Sequence, residues 1–353
     1  MTRVRVLGVC AILLLLVGCA NGGSNSNTDT ATSRSKGGEG RTTYPLTIEN
    51  CGSTETFTKP PETVLTEGAP AMTALLISLG LKDKIVKTTI FSTRTDIPGM
   101  TAQLESLNRV QVASLGLSRE ETIALHPDLI VAGLDSYFQP KKGFATRAQL
   151  HTAGIQAYAP SYFCADNVEN PSPEALAARK AATIEAHLST ITEIGQIFDV
   201  QDRAAKLVAE IRQAINDTRA KVANLPSKKV TITDPSVADT AASGGKFYVY
   251  GGKVLDELIA AAGGTNLWSD VEGFQAVSKE DATVRLADVV VYGLYDGAPS
   301  PDAVMSYIQT TFPSWPAAQN KSVVQLDDVV NLQITHPILV TSLGKTLHPE
   351  VFK

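Results

Sequence analysis

The chain has 353 residues and a formal net charge of −5, from 31 basic and 36 acidic side chains. An acidic chain without a run of Lys or Arg argues against a nucleic-acid-binding protein. Its five His residues form no cluster, which argues against a zinc or manganese site, and no bound cofactor is expected.

The first 18 residues are typical of a secretory signal. Arg3 and Arg5 precede an apolar stretch from Val6 to Val17, which is too short to span a bilayer as a helix. The residues Leu16-Val17-Gly18-Cys19 also fit a bacterial lipobox, in which the Cys thiol receives a diacylglycerol. We therefore expect a lipid anchor on Cys19 that holds the protein on the extracytoplasmic face of the cell membrane; an ordinary signal with an incidental Cys is the alternative.

Residues 19–43 are predicted to form a disordered tether. They are rich in Ser, Thr, Gly and Asn and contain no aromatic or large aliphatic residue. Beyond the tether, Cys51 and Cys164 form an even pair in an oxidising compartment, which predicts a disulfide between them. A metal site is the competing interpretation, and the lack of a nearby His argues against it.

Residues 44–174 are predicted to form an N-terminal αβ lobe. A hairpin around Asn50-Cys51-Gly52 is followed by strands that alternate with helices, which favours a parallel sheet with right-handed crossovers. The predicted elements are a strand at 62–66, a helix at 70–79, a strand at 84–90, a helix and strand within 118–133, a helix at 149–154 and a strand at 156–159.

Residues 175–199 are predicted to form one long connecting helix. Apolar residues at Ile184, Leu188, Ile191, Ile194 and Phe198 follow helical spacing within a segment that runs from Pro173 to Val200. Residues 200–353 return to alternating strands and helices, which predicts a second αβ lobe. Its predicted elements are a helix at 202–223, strands at 229–233 and 247–250, a helix at 255–262, a helix and strand within 278–293, a strand at 322–326 and a helix after Pro337.

One framework occurs in both lobes at an offset of 160 residues. Ser118-x-Glu120 leads to Asp128 and Gly133, and Ser278-x-Glu280 leads to Asp288 and Gly293. Each Ser can cap a helix whose first turn carries acids. Glu120 and Glu280 can therefore serve as helix-capping acids, or as a pair that docks symmetrically onto a partner.

Together these segments resemble the class III solute-binding lipoproteins of ABC importers for ferric siderophores, haem and cobalamin. The resemblance covers most of residues 60–352. The matching segments are Pro61-Glu-Thr-Val-Leu, Leu79-Gly80-Leu-x-Asp83-Lys-Ile-Val86, the two Ser-x-Glu units with Pro127-Asp128-Leu-Ile-Val131, Ala262-Gly-Gly-Thr-Asn266 and Leu347-His-Pro-Glu350-Val-Phe352.

The resemblance implies two Rossmann-like αβ lobes joined by a single long helix, with a ligand groove between the lobes. It also implies that Glu120 and Glu280 dock onto a permease dimer that works with a cytoplasmic ATPase, and that the protein acts as a monomer. In αβ lobes, ligands lie beyond the carboxyl ends of the strands. Aromatic faces and one Arg near those ends suit a large conjugated chelate. The predicted ligand-binding residues are Phe91, Arg94, Tyr137, Phe138, Tyr162, Tyr250, Trp268, Phe274 and Tyr295.

Motifs of enzymes find no support in the chain. It contains neither His-Glu-x-x-His nor Gly-x-Ser-x-Gly, and the Gly-Gly-Lys sequences at Gly244 and Gly251 lack the remaining residues of a phosphate loop. We therefore expect a binding protein that captures a ferric siderophore. Cobalamin or haem in the same transport role is the alternative, and a surface lipoprotein that acts as an adhesin or sensor is a further one.

Overall fold

The computed structural model describes residues 39–68, 70–111, 116–140, 143–234, 246–327 and 334–353. The predicted signal and Cys19 lie outside these residues. In the part of the chain that is described, no helix is long and apolar enough to cross a membrane.

The N-terminal lobe combines a hairpin with a parallel sheet. Its elements are β1 (Leu46–Asn50), β2 (Ser53–Phe57), β3 (Val64–Glu67), α1 (Pro70–Ser78), β4 (Ile85–Thr88), α2 (Met100–Glu105), α3 (Arg119–Leu125), β5 (Leu129–Ala132), α4 (Arg147–Thr152) and β6 (Gln156–Tyr158). The sheet order is β4-β3-β5-β6, and all of its pairs are parallel. Every residue of β3 and β5 is buried, as expected for central strands covered on both faces.

The hairpin is fastened to the lobe through its turn. Cys51 and Gly52 have φ angles of 52° and 75°, the pair of positive values that a two-residue hairpin turn requires. Cys51 forms a disulfide with Cys164, which follows β6. The side chain of Asn50 accepts from the backbone N–H of Ala159 at 3.0 Å and donates to its carbonyl at 2.8 Å. Side-chain hydrogen bonds therefore hold the hairpin, which is a separate two-stranded sheet, next to the residues that follow β6.

The connecting segment is two helices rather than the single one predicted for 175–199. These are α5 (Pro173–Lys180) and α6 (Ile184–Ile197). The break occurs because Thr183 is extended, with φ −119° and ψ 172°, and its hydroxyl accepts from the N–H of Ala186 to start a new helix. All the apolar residues behind the prediction lie in α6 or at its end, so only α6 acts as the strut between the lobes.

The C-terminal lobe has a mixed sheet. Its elements are α7 (Gln201–Val222), β7 (Lys228–Thr233), β8 (Phe247–Gly251), α8 (Lys253–Ala261), β9 (Gly264–Asn266), β10 (Gly273–Val277), α9 (Lys279–Arg285), β11 (Val289–Leu294), α10 (Pro301–Thr311), α11 (Pro316–Asn320), β12 (Val323–Asp327) and α12 (His336–Leu347). The strand order is β10-β8-β7-β11-β12, with β9 beside β7. The strands β7, β11 and β12 are parallel, whereas β8 runs antiparallel to both of its neighbours, β7 and β10.

The repeated framework forms the same unit in both lobes. Ser118 caps α3 and Ser278 caps α9, each by accepting from the N–H three residues on. The Asp of each copy fastens the neighbouring strand: Asp128 accepts from the N–H of Thr63 at 2.9 Å, and Asp288 from that of Lys229 at 2.7 Å. The repeated sequence therefore specifies two features, the start of a helix and a hydrogen bond that holds the neighbouring strand.

Residues 39–43, the last five residues of the predicted tether, contact the folded body. The backbone N–H groups of Gly40, Arg41 and Thr42 donate to the Asp199 carboxylate at 2.6 to 2.8 Å. Asp199 lies in the left-handed region at φ 56°, in the turn between α6 and α7. Partial burial opposes ionisation of Asp199, but these hydrogen bonds outweigh it and lower its pKa. Residues 39–43 thus belong to the folded body.

The two lobes share one apolar core. The buried face of α6, with Leu188, Ile191 and Ile194, lies in the same cluster as Leu75 of the N-terminal lobe and Leu258 of the C-terminal lobe. A continuous core across the strut resists independent movement of the lobes.

Candidate ligand-binding cleft

Loops from the two lobes meet at one end of the interlobe groove. The loop after β4 contributes Ser92 and Arg94, and the loop after β11 contributes Tyr295 and Asp296. Arg94 Nη1 donates to the carbonyl of Tyr295 at 3.2 Å, and the N–H of Asp296 donates to Ser92 Oγ at 3.1 Å. Arg109 lies 3.7 Å from the Asp296 carboxylate. These contacts join the lobes at the carboxyl ends of their strands, where ligands bind in αβ folds.

An open cleft lies between the segment that leads into the strut and the β8–β10 face. The empty space in and above it is about 600 Å³, which includes open solvent. The residues that line it are Tyr162, Phe163, Asp166, Arg179, Ala182, His187, Tyr250, Gly251, Gly252, Lys253, Val254, Leu255, Glu272, Gly273 and Phe274.

The rings of Tyr250 and Phe274 form one wall of this cleft, and Tyr248, which is not part of the lining, stacks against Phe274. Strand alternation puts Phe247 and Val249 in the core and turns Tyr248 and Tyr250 to the other face. Phe274 pairs with Tyr250 across the β8–β10 ladder. Its ring centroid lies 4.6 Å from that of Tyr250 and 5.2 Å from that of Tyr248, and 39% of Phe274 is exposed. An exposed, flat apolar wall of this kind suits a large conjugated or apolar ligand.

The opposite wall contains a column of stacked rings. The rings of Tyr162 and His187 are 3.7 Å apart and nearly parallel, and His336 lies 5.1 Å behind His187. All three residues are buried. Tyr162 comes from the N-terminal lobe, His187 from α6 and His336 from α12, so the column joins lobe, strut and lobe.

Both imidazoles are neutral at physiological pH. Burial lowers the pKa of His187 to about 3. The pKa of His336 falls well below its usual 6.5, chiefly through burial and secondarily through His187. Among the described residues, His187 Nδ1 and both ring nitrogens of His336 lack a hydrogen-bond partner. The lone pairs of stacked imidazoles lie in separate planes, so these two rings do not form a metal site together.

The cleft carries equal numbers of acidic and basic groups. Arg179 Nε lies 2.9 Å from Asp166 Oδ1, and its guanidinium covers Gly273 so closely that a Cβ there would lie 2.0 Å from Nη2. Burial raises the pKa of Asp166, Arg179 opposes that rise, and Glu272 adds to it. Lys253 is the second basic residue of the cleft. No group of three or more His, Cys, Asp or Glu that could hold a metal ion occurs among the described residues.

Comparison with known proteins decides the family. Residues 68–330 match the model of a family described as periplasmic binding protein. The chain belongs to the periplasmic binding protein family. Within it, the class III solute-binding proteins of ABC importers share the fold of two αβ lobes. No curated protein sequence matches the chain significantly.

Solved structures of periplasmic binding proteins have the same fold. A protein of an ABC-type Fe³⁺-hydroxamate transport system from Saccharomonospora viridis is 26% identical, with a TM-score of 0.65, covering 87% of this chain and all of that one. A periplasmic binding protein from Veillonella parvula gives a TM-score of 0.69 at 17% identity, over 86% and 97% of the two chains. A periplasmic haem-binding protein from Roseiflexus gives a TM-score of 0.60 at 19% identity, covering 82% of this chain and 99% of that one.

The structure of this periplasmic binding protein separates the predicted ligand residues into three groups. Tyr162, Tyr250 and Phe274 line the cleft. Arg94 and Tyr295 join the lobes at the other end of the groove, and Phe91, 37% exposed, begins the same loop as Arg94. The remaining three residues are buried inside their own lobes.

These three residues do not belong to the lining of the described cleft, and their contact with a ligand stays a prediction. Trp268 is fully buried, and its indole N–H donates to Thr231 Oγ1 at 2.7 Å. Phe138 lies beneath Arg147, whose guanidinium carbon is 4.5 Å from the ring centroid. Tyr137 packs against Phe144 and over the backbone of Gly68.

The cleft residues that sequence reasoning missed include His187 and the charged residues Asp166, Arg179, Lys253 and Glu272. His187 follows the helical period of α6 and has the pattern of a core residue, whereas Asp166, Arg179 and Glu272 are ordinary polar residues in their local sequence. No strand end marks any of them. Their place in the cleft results from the packing of α5 and α6 against β10.

Glu120 and Glu280 occupy equivalent, exposed positions in the first turns of α3 and α9. Arg119 Nη2 lies 2.6 Å from the Glu120 carboxylate. The pKa of Glu120 is lowered first by a hydrogen bond from its own backbone N–H and then by Arg119. Both side chains are exposed and therefore accessible to a partner.

Proposed function

We propose that this periplasmic binding protein captures a ferric siderophore and delivers it to a permease dimer driven by a cytoplasmic ATPase. In this proposal it works on the extracytoplasmic face of the membrane, held by a lipid on Cys19, and performs no catalysis. The observation that carries the proposal is the cleft between the lobes, with the wall formed by Tyr250 and Phe274.

Two further observations support this function. The lobes share a core and an interlobe contact at Arg94 and Tyr295, so a ligand meets a largely preformed site. The 26% identity with the protein of an Fe³⁺-hydroxamate transport system favours an iron chelate over other solutes.

Calorimetric titration with ferrichrome, haem and cyanocobalamin tests the ligand. We expect saturable binding of ferrichrome that Phe274→Ala weakens by tenfold or more, because the substitution removes the exposed ring of the wall. Val284→Ala, an exposed residue of α9 away from the cleft, is the matched control. Binding of haem or cyanocobalamin alone would replace the siderophore proposal with one of those ligands.

Docking through Glu120 and Glu280 is tested by uptake of radioiron as the siderophore complex. Cells that carry Glu120→Ala with Glu280→Ala should lose uptake while the purified variant still binds ligand. Glu174→Ala is the matched control, because Glu174 is also an exposed acid in the first turn of a Ser-capped helix. Uptake that survives the double substitution would favour a surface adhesin or sensor.

A further inference from the structure

The charges of the groove restrict the class of chelate that it can take. At the open end, Asp166 and Glu272 face Arg179 and Lys253. At the joined end, Asp296 contacts Arg109, and Asp234 accepts from the hydroxyl of Tyr295 near Arg94. The lining of the cleft therefore has two acids and two bases, and the contacts between the loops of the two lobes pair basic with acidic or polar groups among the described residues.

Three of the four cations already have protein partners. Arg179 is 2.9 Å from Asp166, Arg109 is 3.7 Å from Asp296, and Arg94 donates to the carbonyl of Tyr295. The neutral imidazole of His187 contributes no charge to the wall. A polyanionic ligand would therefore have to displace Asp166 or Asp296 from its arginine, or lie beside an unneutralised carboxylate, and either change is unfavourable in a partly desolvated cleft.

The apolar wall favours the opposite kind of ligand. Phe274 and Tyr250 can hold a ligand through dispersion and apolar burial, which require no charge on the ligand. The chain as a whole is acidic, which adds a long-range repulsion for anions.

We infer that the cleft takes an iron chelate without net negative charge, of the ferric trihydroxamate class, and rejects polyanionic tris-catecholates and the dicarboxylate haem. This inference rests on the proposed function and specifies its substrate. Asp166 and Glu272 determine the specificity, because they cancel the positive charge that a catecholate complex would need.

Calorimetric titration of the full chain, purified from membranes, tests the inference with probes of different charge. Ferrichrome is neutral, ferrioxamine B carries about one positive charge, and ferric enterobactin carries about three negative charges at neutral pH. We expect the two hydroxamates to bind at least about 100-fold more tightly than ferric enterobactin, and the difference to narrow as salt screens the charges.

The double variant Asp166→Asn with Glu272→Gln supplies the second measurement. It frees Arg179 and removes two negative charges, so affinity for ferric enterobactin should rise by about tenfold or more at low salt while ferrichrome affinity changes little. The control is Asp302→Asn with Glu210→Gln, which changes the net charge by the same amount at exposed positions outside the cleft. It should leave the ratio of the affinities for ferrichrome and ferric enterobactin unchanged.

The outcomes separate this inference from the proposed function. If ferric enterobactin binds the unmodified protein as tightly as ferrichrome does, the charge inference is wrong and siderophore capture stands. If Asp166→Asn with Glu272→Gln leaves the ratio of the affinities for ferrichrome and ferric enterobactin unchanged, Asp166 and Glu272 do not determine the specificity. Failure of every iron chelate to bind would overturn the proposed function and the inference together.

Discussion

The two lobes contain the same αβ unit but are stabilised by different chemistry. In the N-terminal lobe, Arg147 lies 2.8 Å from the fully buried Glu55 and 2.9 Å from Asp135. In the C-terminal lobe, the rings of Trp315 and Phe312 stack at 4.1 Å, and Phe247 meets both edge to face. One lobe therefore has a buried ionic centre and the other an aromatic one.

This difference shows which part of the unit the fold constrains. The Ser cap and the Asp that fastens the neighbouring strand occur in both lobes, because they act on backbone groups in the same geometry. The interior behind them has to be filled and its polar groups satisfied, and either chemistry can do that.

Arg147→Ala should give the largest effect, because it leaves Glu55 and Asp135 buried without their cation. We expect a loss of about 3–5 kcal/mol in the free energy of unfolding near neutral pH, measured by denaturant titration. The exposed pair of Arg119 and Glu120 is the control, and Arg119→Ala should cost less than about 1 kcal/mol. Similar losses in the two variants would contradict an ionic centre in the N-terminal lobe.

Trp315→Phe tests the aromatic centre. It retains a stacked ring but removes the indole N–H that donates to the carbonyl of Ala282 in α9 at 3.0 Å. We expect a loss of about 1–3 kcal/mol, because a buried carbonyl is left without its partner. Trp268 keeps its own hydrogen bond to Thr231 and reports unfolding by its fluorescence. A loss near zero would mean that packing alone stabilises this lobe.

The pH dependence of stability should distinguish Glu67 in the N-terminal lobe from His187 in the ring column between the lobes. Burial raises the pKa of Glu67 to about 8, although a hydrogen bond from the N–H of Leu117 to the carboxylate acts to lower it. The unfolded state releases this proton above about pH 4.5, so Glu67 destabilises the fold as pH rises from there to about 8. The lowered pKa of His187 acts in the other direction: the unfolded imidazole binds a proton below about pH 6.5, so stability falls as pH falls towards 3.

Thermal unfolding between about pH 5 and pH 8 measures the two effects. A difference of one unit in pKa is worth roughly 1.4 kcal/mol, so His187 should contribute a loss of up to about 2 kcal/mol between pH 6.5 and 5. His187→Phe should reduce the loss on the acid side of the profile and leave the part due to His336, and Glu67→Gln should flatten the alkaline side. A profile that neither substitution changes would show that these groups are solvated in solution.

Local sequence patterns were sufficient for most elements. The hairpin around Cys51, the alternating strands and helices and the two Ser-capped units depend on caps, turns and periodicity, which act within a few residues. The break at Thr183 was missed because the apolar period of α6 was extended back over α5, which has no buried residue.

The cleft was less predictable, because exposure at a strand end depends on what packs over it. Tyr250 and Phe274 were identified from their positions, but Trp268 has equally favourable local sequence and is covered by Arg285, 4.1 Å from its ring. His187 and Arg179 reach the cleft through helix packing, which no short window of sequence encodes.

The smallest expected difference lies within the repeat itself. Ser118 takes part in a reciprocal capping box, because its hydroxyl accepts from the N–H of Glu121 and its own N–H donates to the Glu121 carboxylate at 3.0 Å. Ser278 accepts from the N–H of Asp281 at 3.0 Å, and its helix shows no such return bond. Ser118→Ala disturbs both bonds of the box, whereas Ser278→Ala removes one.

We therefore expect each substitution to cost about 1 kcal/mol of unfolding free energy, with Ser118→Ala the larger by a few tenths. In a chain that already carries Glu121→Ala, Ser118→Ala should lose most of its extra cost in unfolding free energy. In a chain that already carries Asp281→Ala, the cost of Ser278→Ala should stay nearly unchanged. A double-mutant cycle measures both differences. Because caps fix only the helix start, both alanine variants should bind ligand normally. Weaker ligand binding by either one would mean that the start of the helix also sets the geometry of the cleft, and that the repeat is more than a folding unit.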